Sequence, residues 1–183
     1  MKFIVSRKPK EYLKQGPTGC GAYSVKGILS AYGKDDKKHP FAYSPWSLLP
    51  FVTSPSHWTN ILHSYGLDVK HESMSGFSEE QKLAIIEDAI QLDTPIMLLI
   101  GNGYRGNGIW SAIRWWLISH WITVWGFDDE EGVFYIYDSM VSPKYYTKNI
   151  PTGNVKRTYR DVLRDLGGGH PWWRRFNYIK INQ

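Results

Sequence analysis

Cysteine is nearly absent from this sequence, which holds a single one, Cys20, among its 183 residues. One thiol can form neither an intramolecular disulfide nor a thiolate zinc cluster. The histidines supply no metal pattern either, because His57 and His63 lie six residues apart, a poor spacing for two ligands on one helical face. We therefore predict no metal site, and Cys20 is either a small core residue or a reactive group.

Long hydrophobic runs are absent as well. No stretch of about 18 or more apolar residues occurs, so we expect no membrane span. The N-terminal segment starts with basic residues but lacks the apolar run of a signal peptide. We expect a soluble, cytoplasmic protein, unless a leader has been removed or export takes an unconventional route.

Length and composition further limit the classes of function that this chain can have. A chain of 183 residues predicts one domain spanning residues 1–183. Such a domain can bury a hydrophobic core without disulfides or a structural metal. The net charge of +5 is moderate, and no nucleic-acid partner is expected. Aromatic residues make up 15% of the chain. They either fill the core or line a groove for a peptide or glycan.

Helices dominate the first half of the predicted fold. Residues 20–32 carry apolar side chains at helical spacing between two glycines, which places Cys20 in the first turn of a helix. Ser78 and Gln81 form a capping box at the start of another helix. Three further elements are predicted, namely a turn at residues 45–49, a helix over 56–65 and a helix after Thr158.

Strands follow in the second half. Residues 95–100 form a short apolar run typical of a buried strand, and residues 120–127 and 133–138 flank an acidic turn as a hairpin. Residues 176–181 are predicted to add an edge strand. The fold class is therefore α+β, with N-terminal helices, among them the Cys20 helix, packed on a C-terminal antiparallel sheet.

The position of Cys20 favours ionisation. A helix N-terminus presents unpaired N–H groups and a partial positive charge, which stabilise a thiolate. A nearby histidine would lower the thiol pKa further. Gly19 and Gly21 flank the cysteine and leave room around its sulfur. A cysteine in a helix is nevertheless often a small buried hydrophobe, and this reading stays open.

His120 and Asp138 form a candidate pair. His120 begins an apolar strand, where an imidazole needs a partner. If Phe127 and Val133 close the hairpin around a five-residue turn, Asp138 opposes Ile122 and lies one diagonal step from His120 on the same face. The carboxylate could then fix the histidine tautomer, as in a nucleophile–base–orienter triad. The alternative is a structural histidine with Asp138 as a turn residue.

The motifs together resemble a known family. Gln15, Cys20-Gly21-Ala22, the run from His120 to Asp128 and Tyr135-Ile136-Tyr137-Asp138 occur in the order found in papain-like cysteine peptidases related to the double-glycine leader peptidases of bacteriocin transporters. The resemblance implies a papain-like fold and hydrolysis of peptide bonds without a cofactor. It implies that Cys20 attacks, His120 is the base, Asp138 orients it and Gln15 lines the oxyanion hole.

The resemblance leaves the substrate open. We expect neither the membrane domain nor the nucleotide-binding domain of the transporters here, and the expected partner is a peptide or protein substrate of unspecified sequence. The alternatives are a transglutaminase, deamidase or murein amidase with the same triad, and a binding domain without turnover. The aromatic segment from Tyr104 to Trp121 is predicted to border the substrate groove, with a glycine-rich hinge at Gly101–Gly108. Its groove candidates are Trp110, Trp115, Trp116 and Trp121.

Overall fold

The computed structural model describes residues 1–35, 38–44, 54–102, 109–170, 173 and 175–182. The turn predicted at residues 45–49 and most of the predicted glycine hinge lie outside these residues. The described helices are α1 (Cys20–Ala31), α2 (Pro40–Tyr43), α3 (Pro55–Ser64), α4 (Glu79–Gln91), α5 (Ile109–Leu117) and α6 (Tyr159–Leu166). The described strands are β1 (Lys2–Ile4), β2 (Val69–Ser73), β3 (Ile96–Gly101), β4 (Ser119–Asp128), β5 (Val133–Tyr137), β6 (Val155–Thr158) and β7 (Asn177–Ile181).

The strands form one antiparallel sheet. Its order is β2-β7-β3-β4-β5-β6, and β1 pairs with β4 off this path. The predicted α+β class is confirmed. The edge position predicted for the last strand is wrong, because β7 pairs with β2 on one side and β3 on the other.

Helices cover both faces of this sheet. α1 and α3 pack together, with α1 against β4 and α3 against β2 and β7, while α4 and α6 form a second group against β3 and β4. All six residues of β3 are buried, and so is every residue of β4 after Ser119. A strand buried on both faces has a continuous apolar sequence, as the 95–100 run does.

Local signals explain where the helices begin. The capping box of Ser78 and Gln81 is present at α4, and the Thr158 hydroxyl accepts a hydrogen bond from the Asp161 N–H at α6. The long connection between β3 and β4 contains α5, which was not predicted as a helix. No helix in the described part of the chain has the length and apolar character needed to cross a membrane.

Candidate active site

Cys20 is the first residue of α1 and is partly exposed. Gly19 before it has a positive φ of 98°, and a Cβ there would lie 2.4 Å from the ring of Phe41. A Cβ on Gly21 would lie 2.2 Å from the indole of Trp58. Both glycines therefore let the helix N-terminus pack closely against aromatic rings, which fixes the backbone around the sulfur.

His120 faces this thiol from β4. Its side chain is buried, and its Nε2 lies 2.8 Å from Oδ1 of Asp138. The side chain of His120 also interacts with the Cys20 thiol. The structure thus brings Cys20, His120 and Asp138 together in one line of contacts.

The hairpin that aligns His120 with Asp138 differs from the predicted one near its turn. Val133 pairs with Asp128 rather than Phe127, so the turn is one residue shorter than predicted. A bulge between Val124 and Gly126 absorbs the extra residue. Beyond the bulge Val124 pairs with Ile136, as the predicted register requires, and Asp138 reaches His120.

Electrostatics favour a charged pair at this site. Burial raises the pKa of the Cys20 thiol, but the hydrogen bond and charge of His120, with the backbone N–H groups of Trp121 and Gly21, outweigh burial and lower that pKa. Burial lowers the pKa of His120, while the charge and hydrogen bond of Asp138 and the contact with Cys20 raise it to about 10. The proton therefore rests on His120 near neutral pH.

Gln15 lies in the segment before α1 and is buried. Its backbone N–H donates to the Ser139 carbonyl at 2.8 Å, and its Oε1 accepts a hydrogen bond from the Ser139 hydroxyl at 2.5 Å. Ser139 directly follows Asp138, so Gln15 lies beside the partner of His120. With its oxygen facing Ser139, the amide of Gln15 directs Nε2 the other way.

The four predicted groove residues occupy different environments. Trp121 is 4% exposed and belongs to the core, which contradicts its predicted place in a groove, because β4 is covered on both faces. Trp115 is half-buried, and its carbonyl accepts a hydrogen bond from the Gly169 N–H. Gly101 ends β3 against the Trp115 backbone and is not part of a free hinge. Trp110 and Trp116 are 74% and 50% exposed.

An apolar surface surrounds these two tryptophans. No residue of α5 is buried, and the exposed apolar side chains of this helix and the residue after it form what we call the α5 surface. Its members are Ile109, Trp110, Ile113, Trp116, Leu117 and Ile118. It adjoins the site, since Ile118 is two residues from His120 and its carbonyl accepts a hydrogen bond from the Asn102 N–H. The Asn102 side chain in turn contacts Met140, two residues beyond Asp138.

Two residues of the site were missed by sequence reasoning. Ser139 contacts Gln15, and Asn154 contacts the backbone of Asp138. Ser139 had a signal, because it immediately follows a candidate carboxylate. Little in the sequence indicated a role for Asn154, because this residue comes before β6, a four-residue strand that was not predicted.

Comparisons with known proteins agree with the fold. The profile of the Peptidase_C39 like family matches residues 8–170. A Bacillus anthracis structure described as a C39-like peptidase aligns with a TM-score of 0.61 at 12% identity, covering 100% of this chain and 98% of that chain. A double glycine motif protease from an AMS/PCAT transporter, in complex with the leader peptide, aligns with a TM-score of 0.54 at 16% identity, covering 99% and 97%. No curated protein matches. Since the family profile extends over most of the sequence, the chain belongs to the Peptidase_C39 like family.

Proposed function

We propose that this chain is a cysteine peptidase that hydrolyses peptide bonds with Cys20 as nucleophile, His120 as base and acid, and Asp138 as the group that orients His120. The observation that carries this proposal is the buried contact of 2.8 Å between His120 and Asp138, with the Cys20 thiol beside the same imidazole. A nucleophile, a base and a group that orients the base are the three parts of such a triad. Membership of a peptidase family supports the same reading.

The proposed reaction begins from the thiolate–imidazolium pair. The Cys20 sulfur attacks the carbonyl carbon of the peptide, and the carbonyl oxygen becomes an oxyanion. Gln15 Nε2 and the Cys20 backbone N–H donate hydrogen bonds to it. The C–N bond then breaks as His120 gives its proton to the leaving amine. Water attacks the carbonyl carbon of the resulting thioester as His120 takes one of its protons. The C–S bond then breaks and releases the carboxylic acid product and the Cys20 thiolate, which returns the enzyme to its starting state. These steps need no cofactor.

The α5 surface is proposed to bind the substrate beside this centre. Exposed apolar patches of this kind are uncommon on soluble monomers and mark places where a partner is bound. The double glycine motif protease with a similar fold was solved in complex with a leader peptide, which supports a peptide as the occupant. The apolar character of the α5 surface favours apolar side chains on that peptide. The peptide would place its scissile bond at Cys20 and its apolar side chains on Trp110 and Trp116.

The pH dependence of Cys20 alkylation tests the nucleophile directly. We expect iodoacetamide to label Cys20 with an inflection below the ordinary thiol pKa of about 8.5. His120→Ala removes the contact that lowers the pKa of Cys20 and leaves the burial that raises it. The inflection of this variant should therefore lie above the ordinary thiol pKa. Mass spectrometry of the labelled peptide between about pH 5 and 10 measures both. His63→Ala, at an exposed histidine of α3, is the matched control.

Labelling of wild-type Cys20 with an inflection at or above the ordinary thiol value would contradict the proposed nucleophile. The reaction type is tested by offering a peptide library with and without a primary amine. Cleaved peptides support the peptidase, whereas amine-coupled or deamidated glutamines would indicate a transferase or deamidase in its place.

Kinetics on the α5 surface test the substrate site. Trp110→Ala and Trp116→Ala should each raise KM for a peptide selected from such a library by about 5- to 50-fold, because each removes an exposed ring from the bound peptide. The melting temperature should change by less than about 2 °C, since neither ring supports the core. Phe77→Ala removes a comparably exposed ring between β2 and α4 and serves as control. Unchanged KM in both tryptophan variants would remove the α5 surface from substrate binding.

A further inference from the structure

Asn154 makes an unusual pair of contacts with the backbone of Asp138. Its Oδ1 accepts a hydrogen bond from the Asp138 N–H at 2.8 Å, and its Nδ2 donates to the Asp138 carbonyl at 2.9 Å. Asn154 is 2% exposed, so both contacts are sheltered from water. β5 ends at Tyr137 and β6 begins at Val155, so the side chain continues the ladder between the two strands by two bonds where their backbones no longer pair.

The chain before Asn154 is adapted to this approach. Gly153 has a φ of 77°, and a Cβ there would lie 2.4 Å from the Ile136 carbonyl oxygen. The Asn154 N–H donates to that same carbonyl at 2.8 Å. Only glycine satisfies both the backbone conformation and the space, so the amide of Asn154 is held against β5 from its own backbone.

The segment held by Asn154 serves both halves of the proposed chemistry. Asp138 Oδ1 contacts His120 Nε2 and accepts a hydrogen bond from the Met140 N–H at 3.0 Å. Ser139, the next residue, contacts Gln15 through its carbonyl and its hydroxyl. Three successive residues therefore fix the orienting carboxylate on one side and the amide of Gln15 on the other.

We propose that Asn154 and Ser139 are positioning residues, through which one short segment, residues 138–140, aligns the base and the oxyanion donor together. Asn154 sets the backbone of this segment, and Ser139 holds the oxygen of the Gln15 amide so that Nε2 is free to face the substrate carbonyl. This inference rests on the proposed function, because it assigns the two residues to the alignment of Cys20, His120, Asp138 and Gln15.

Two reactions of Cys20 separate the two alignments. Alkylation by iodoacetamide needs the thiolate but forms no oxyanion. Acylation by p-nitrophenyl acetate forms an S–C bond through an oxyanion and releases p-nitrophenolate, so its rate depends on both. The ratio of the two rates therefore reports the oxyanion donor alone, and the pH profile of alkylation reports the pair of Cys20 and His120.

We expect Asn154→Ala to move the alkylation inflection upward by about 0.5–1 pH unit, because a displaced Asp138 supports the imidazolium less well. Ser139→Ala should leave that inflection unchanged and lower the acylation rate by about 5- to 50-fold, less than the roughly 10²–10³-fold expected from losing an oxyanion donor. Adding Ser139→Ala to Gln15→Ala should have no further effect. Asn182→Ala, which removes a surface amide bonded to Asp68, is the control for both assays.

The possible results separate a failure of the positioning roles from a failure of the proposed peptidase function. If wild-type alkylation does not depend on His120, the proposed function fails. If it does depend on His120 and a folded Asn154→Ala protein keeps the wild-type inflection, the positioning role of Asn154 is overturned. Should Asn154→Ala fail to fold, Ser139→Ala decides, because it keeps the backbone bond to Gln15. An unchanged acylation rate in that variant overturns the shared alignment.

Discussion

Asp138→Asn is expected to fold normally and to lose roughly 10³–10⁴-fold in kcat, an effect of the size seen when other triads lose this carboxylate. The negative charge of Asp138 opposes the burial that would otherwise lower the pKa of His120. Asparagine removes the charge but keeps the shape. The buried imidazole then becomes neutral near pH 7, and the Cys20 thiolate loses its cation.

The tautomer of His120 adds to this loss. In the wild-type site Nε2–H donates to Asp138, which leaves Nδ1 as the ring nitrogen that can accept the thiol proton. An asparagine amide can present its N–H₂ to Nε2 instead, which moves the ring proton to Nδ1 and leaves no acceptor for the thiol proton.

The measurement is kcat on a peptide substrate beside the pH profile of alkylation. The alkylation inflection should rise together with the loss of kcat, while the melting temperature stays close to that of the wild type. Asp68→Asn, at a surface aspartate that binds Asn182, controls for the loss of one charge. Undiminished turnover in folded Asp138→Asn would remove Asp138 from the mechanism.

The parts of the fold that sequence reasoning found have strong local signals. α1 and α4 show helical spacing with a glycine or a capping box at their starts, and β3 is a continuous apolar run between turns. These signals arise within about a dozen residues and need no knowledge of distant partners. The same holds for the candidate site, because Cys20 lies at a helix start and His120 and Asp138 lie on one hairpin.

The parts that were missed depend on distant pairing. β2 alternates poorly, with Lys70, His71 and Ser73 exposed, and it exists because it pairs with β7 more than a hundred residues away. That pairing also makes β7 an interior strand. The bulge near Trp125 could not be predicted from the local sequence for a similar reason. Gly126 packs against β1, another strand that was not predicted.

The tryptophans show the limit of composition as a guide. Trp116 and Trp121 lie five residues apart and are chemically the same, yet one is half-exposed on α5 and the other is in the core. The helix of α5 presents an apolar face to solvent, the reverse of the usual pattern. Nothing in the local sequence distinguishes such a surface from a buried helix.

Trp121→Ala should therefore be among the most destabilising single changes in the chain, whereas Trp116→Ala should be nearly neutral. Removing a buried tryptophan leaves a cavity and costs about 3–5 kcal/mol. For a chain of this size that corresponds to a fall in melting temperature of roughly 6–20 °C. Calorimetry on the two variants at equal concentration measures the difference. On heating, the activity of Trp121→Ala should decrease in proportion to the fraction of protein that remains folded. Trp116→Ala should stay folded over the same range and show a higher KM for the peptide. Equal melting temperatures for the two variants would contradict the core position of Trp121 and would favour the predicted position in the substrate groove.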